Sequence, residues 1–138
     1  MGTAVSKAIP KEKATEEINE WLDYKRIRAK KRKANEESIE DLIEAMEEGY
    51  LRFDPETKSL ILELGVPLGT NEQITELKFK PRVSVGEMKP YLGKLKPGDA
   101  DGRLLAYVTA LTGQPTAVID TMDSSDQPLA TSIVVFFL

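Results

Sequence analysis

The densest concentration of one chemistry in the chain is a run of seven cations within nine residues: Lys25, Arg26, Arg28, Lys30, Lys31, Arg32 and Lys33, interrupted only by Ile27 and Ala29. Such a run could neutralise several phosphates, and binding through it would fall steeply with salt. No aromatic residue interleaves it, so it offers bases no stacking platform. The formal net charge of −4 also gives no global attraction to nucleic acid. The competing reading is a solvated helix face balanced by the acidic stretch that follows, within one molecule or between copies. Nucleic acid is the disfavoured partner.

The acids offer less. Asp120, Asp123 and Asp126 recur every three residues. A calcium loop instead wants alternating ligands, a Gly at the turn and a bidentate acid at its twelfth position, and helix-end capping accounts for the trio. Asp99-Ala100-Asp101-Gly102 opens like such a loop, but the twelfth residue from Asp99 is Ala110, in an apolar stretch. No Gly-rich loop ending in Lys-Ser/Thr is present to cradle a phosphate. The chain has 0 Cys and 0 His, which excludes thiolate nucleophiles, disulfides, Cys/His zinc sites and Ser-His or Cys-His dyads. An enzyme would have to run on Asp, Glu, Lys or Tyr, and no acid pair or lysine pocket can be placed. Binding or assembly, with no catalytic residue, metal or cofactor, is the expectation.

The elements that position these residues fall into three zones of a 138-residue chain, the size of one ordinary domain. Residues 1–49 read as a charged helical N-terminal arm. Thr15 can cap a helix with Ile18, Trp21 and Leu22 on one stripe. Asn35 breaks the pattern, and Ile39, Leu42, Ile43 and Met46 then share a helical face among Glu36, Glu37, Glu40, Asp41, Glu44, Glu47 and Glu48, up to a stop at Gly49. Trp21 reads either as an interface anchor or as the tether of this arm to its own domain. Residues 50–138 read as an α+β domain. Two strands, 50–53 and 59–64, flank the turn residues Asp54 to Lys58; 65–73 is a connection; and 74–80 alternates as a half-buried antiparallel strand, making a small sheet of about three strands.

A cluster of short helices completes the chain. Ser84 and Glu87 form a capping-box pair. Asp101 can cap a helix carrying Leu104, Leu105, Val108 and Leu111, which Gly113 ends; Pro115 opens the next helix and Pro128 is tolerated in the first turn of the last. The end of the chain, Ile133, Val134, Val135, Phe136, Phe137 and Leu138, is apolar on every side and cannot hide on one stripe. Leaving two Phe and a Leu in water would forgo roughly 5–8 kcal/mol. Ile133 and Phe136 are therefore expected inside, with part of the remainder at an interface. The N-terminus shows no apolar leader segment, and no apolar run approaches the roughly 20 residues of a membrane span. A soluble, cytoplasmic protein with no membrane partner is expected.

In their order, these pieces resemble a known family. Residues 74–81 (Ile-Thr-Glu-Leu-Lys-Phe-Lys-Pro), followed by Val85-Gly86-Glu87, resemble the strand and helix start of phage tail assembly chaperones of the Mu-like prophage type. Residues 104–113 (Leu-Leu-Ala-Tyr-Val-Thr-Ala-Leu-Thr-Gly) are similar to that family's central helix, and residues 119–126 with the apolar end to its last two elements. The likeness spans residues 50–138 and leaves the N-terminal zone unmatched. It implies a non-enzymatic role in tail morphogenesis: binding the tape measure protein in the host cytoplasm before tail-tube subunits polymerise around it. The candidate client surface is Ile133, Val134, Phe136, Phe137 and Leu138 with the stripe Ile39, Leu42, Ile43 and Met46, shielded by self-association when idle. The alternatives are a small nucleic-acid-binding adaptor working through residues 25–33, or a structural tail or head-completion subunit that would remain in virions.

Overall fold

A computed structural model describes residues 7–69 and 73–138. The leader reading of the first six residues, and part of the connection read at 65–73, lie outside them. The element order is α1 (Lys11–Tyr24), α2 (Ala29–Ala34), α3 (Glu36–Glu47), β1 (Leu51–Asp54), β2 (Ser59–Leu68), β3 (Ile74–Phe79), α4 (Val85–Leu92), α5 (Ala100–Thr112), α6 (Thr116–Ile119) and α7 (Gln127–Val134). The class is α+β: seven helices and one antiparallel sheet, in the order β1-β2-β3, among the described residues.

Helix α1 starts a turn earlier than Thr15. Pro10, fixed at φ −64°, is the N-cap without a side-chain bond, and Thr15 sits inside the helix, its hydroxyl donating to the Lys11 carbonyl at 2.8 Å. Ala14, Ile18, Trp21 and Leu22 form its buried stripe. Asn35 breaks the chain between α2 and α3 and closes the end of α2, its main-chain N–H and its amide, the latter at 2.9 Å, both donating to the Lys31 carbonyl, while its side chain makes no cap bond to α3. Helix α3 buries Leu42, Ala45 and Met46.

The sheet presents one apolar face. Leu51 pairs with Leu62 and Phe53 with Leu60, and β3 adds Phe79 opposite Leu60 and Leu77 opposite Leu62; all six are buried. Strand β2 runs to Leu68 rather than stopping at Leu64. A register shift between Glu63 and Leu68 absorbs Gly65 and Pro67 as an irregular stretch of strand. Its freed backbone is claimed from outside the sheet: the Asp126 carboxylate accepts from Gly65 N at 2.8 Å and Val66 N at 3.2 Å.

The division at residue 49 separates compositions, not cores. Stripes from α1 and α3 join the sheet face, α5 and α7 in one apolar cluster, so these two helices pack into the same core as residues 50–138. Two bulky faces of this width cannot stay in water while a sheet face is also uncovered.

The capping box at α4 forms as expected: Ser84 Oγ accepts from Glu87 N, and Glu87 Oε1 accepts from Ser84 N at 3.0 Å. Helix α5 is capped by Asp99, not Asp101, through Gly102 N at 2.9 Å. The carboxylate lies so close that a Cβ on Gly102 would stand 2.5 Å from it. Gly113 ends α5 in the left-handed region at φ +74°. Pro115 is the N-cap of α6, and Pro128 lies in the first turn of α7.

Candidate functional site

The apolar end of the chain divides between interior and surface. Ile133, Val134 and Phe136 are buried, with Phe136 edge-on to Trp21 at 5.7 Å between ring centroids. Trp21 itself is fully buried, so it is the tether and not an interface anchor. Leu42 and Met46 are core as well. These five members of the expected client surface are therefore filled by the chain's own packing and cannot meet a partner without unfolding. Of the others, Ile39, Ile43 and Phe137 are half-buried and Leu138 is 53% exposed.

The basic run is similarly divided. It is not one continuous helix face, because Arg26 turns the chain at φ +58° and α2 begins only at Ala29. Arg32 pairs with Asp23 at 2.8 Å and donates through Nε to the Ile27 carbonyl at 2.8 Å. Lys31 donates to the main-chain oxygen of Leu138. Lys25 folds inward, its ammonium 3.3 Å from the Phe137 ring centroid and 3.0 Å from the Pro81 carbonyl. Burial, then the nearby charges of Arg82 and Lys31, push this ammonium down from the usual lysine range to about 8. Only Arg26, Arg28, Lys30 and Lys33 are left exposed, and α2 buries nothing.

Two grooves run beside the C-terminal segment. The first, of about 740 Å³, lies between the α4–α5 loop and α7 and is walled by Leu92, Leu95, Leu104, Val135 and Leu138, with Lys96, Asp101 and Arg103 at its rim. The second, of about 880 Å³, lies along α4 on the side of Phe136 and Phe137; Val83, Val85, Met88 and Leu92 line it, and Lys25, Arg82 and Lys89 bring charge. Leu92 belongs to both. Val85, the first residue of α4, is 79% exposed. The apolar lining and the few polar groups suit a segment of another chain laid along the surface.

The sequence reading missed the α4 side of this site. Arg82 and Leu92 carry no pattern of their own, and only the excess of apolar residues at the chain end signalled that something nearby was uncovered. No described helix is long and apolar enough to cross a membrane, and no group of three or more Asp or Glu side chains among the described residues is arranged to hold a metal ion. Compared with known proteins, the chain matches no family model, no curated protein and no solved structure.

Proposed function

We propose that this chain is a non-enzymatic phage tail assembly chaperone that holds an apolar segment of the tape measure protein during tail morphogenesis, in the host cytoplasm. The observation that carries the reading is the pair of grooves beside residues 135–138, whose walls leave apolar side chains accessible around a packed core. A long helical client with an apolar surface would lay that surface into such walls and gain roughly 25 cal/mol for each Å² it removes from water. The ordered resemblance across residues 50–138 supports the same role.

Co-expression with the tape measure protein, followed by size-exclusion chromatography with light scattering, tests it. A soluble complex of fixed stoichiometry, with the tape measure aggregating when expressed alone, is the expected result, and the same run gives the chaperone's own oligomeric state. A tape measure protein that elutes independently of this chain would remove the proposal.

A second reading rests on Arg26, Arg28, Lys30 and Lys33, exposed together around α2: a nucleic-acid adaptor. It requires duplex or single-stranded DNA binding that weakens linearly in log salt. Alanine at these four positions would abolish that binding and leave client capture untouched.

A further inference from the structure

We infer that the groove along α4 takes an acidic apolar segment of the client, with a carboxylate of that segment seated between Lys25 and Arg82. This rests on the chaperone reading above and specifies the client's chemistry.

The groove holds cations that no acid among the described residues answers. Among the described residues Lys25 is satisfied by neutral groups: the Pro81 carbonyl and the faces of Phe137 and Trp21. Arg82 lies 4.7 Å over the Tyr24 ring and donates to the Tyr24 carbonyl at 3.0 Å, again without a carboxylate. Lys89, on α4, forms no ion pair among the described residues. The acid in the groove wall, Glu87, is already taken by Lys80 at 2.6 Å and by the Ser84 main-chain N–H. Three cations therefore face an apolar floor of Met88, Leu92 and Phe137, with no free counter-charge among the described residues of the groove.

Electrostatics makes the same point from the lysine's side. Burial first, then Arg82 and then Lys31, work against its charge and outweigh the neutral groups that satisfy it. An incoming carboxylate would reverse that balance, since an opposite charge within about 4–6 Å favours the ionised form. A free phosphate would satisfy the cations but leave the apolar floor bare. A purely apolar helix would cover the floor and bury the cations unpaired, which is costly. An apolar stretch interrupted by Asp or Glu does both jobs.

The test uses overlapping 20-residue peptides tiling the tape measure protein, labelled for anisotropy and titrated with the full chain at low and moderate salt. Trp21, the sole tryptophan, lies against Phe136 and Phe137 and within 5.8 Å of the Lys25 ammonium, so its emission reports occupancy of this groove. The tightest peptides are expected to carry Asp or Glu within an apolar stretch and to lose at least tenfold in affinity when Arg82 and Lys89 are both changed to Glu. A peptide with its acid changed to Lys should lose affinity for the native chain and regain it with the R82E/K89E variant. If that variant melts early, K89E alone, on an exposed position of α4, carries the comparison.

Tight peptides that lack acids, or that bind R82E/K89E as well as the native chain, overturn this inference and leave the chaperone reading standing. A DNA oligonucleotide that quenches Trp21 and displaces those peptides would overturn it in favour of a phosphate ligand. If neither peptides nor intact tape measure protein bind, the inference and the chaperone reading fall together.

Discussion

Helix α1 belongs to the apolar core and α4 lies outside it: α1 buries Ala14, Ile18, Trp21 and Leu22, whereas α4 buries only Met88. Helix α1 has no side-chain cap at its N-terminus; α4 has a complete capping box, and an ion pair from Lys80 to the same Glu87. One helix is held by packing and the other by polar bonds at its first turn. The difference explains where the grooves are. A helix held at its end does not need to bury its flank, so Val85 and Leu92 stay available to something else. Pro90 inside α4 removes one backbone donor from its last turn and adds to the contrast.

Substitutions can break this contrast. The largest expected effect is Trp21→Ala, which empties the contact with Phe136 and should cost about 3–5 kcal/mol by urea denaturation. That is a large part of the 5–15 kcal/mol typical of a domain. Met88→Ala should cost about 2 kcal/mol, the low end for a buried Met, because α4 packs on few neighbours. An equal loss at both sites would mean α4 is a packing element after all. Ser84→Ala should cost about 1 kcal/mol, chiefly as earlier amide exchange within α4, with α1 unaffected.

A dependence on pH sharpens the picture at Lys25. Its folded pKa, about 8, lies below the unfolded value of 10.5, so between those pH values the unfolded chain binds more protons than the folded one. Stability should therefore rise with pH across that window as the buried charge is relieved. Lys25→Met should flatten this rise relative to the native chain in urea titrations at pH 7.5, 9 and 10.5. An unchanged slope would show that the Phe137 face and the Pro81 carbonyl fully offset the burial.

Much of the scaffold was legible because its signals are local. The capping box at Ser84 and Glu87, the left-handed Gly113 and the hairpin around Pro55 each depend on a few neighbouring residues, and each stands where the pattern puts it. The exceptions were settled by distant partners. Strand β2 outruns its Gly and Pro because Asp126, some sixty residues away, claims the backbone there. Helix α3 joins the core because α7 packs on it, and α1 joins it through α3 and Phe136. The basic run was visible as charge, but nothing local revealed that Lys25 turns inward under Phe137 while Lys30 and Lys33 stay out. Groove walls combine residues from α4, α5 and the chain end, and no single window of sequence contains them.

The pairing of Trp21 with Phe136, reinforced where Lys31 meets Leu138 across 107 positions of chain, has a consequence for synthesis. As the chain leaves the ribosome, α1 can close on α3 and β1 on β2 through neighbouring contacts, but the Trp21 end of the α1 stripe and the face of α3 that meets α7 wait uncovered until the last residues have emerged. Through most of translation the nascent chain presents the kind of bare helical surface that the finished protein is proposed to shelter in its client.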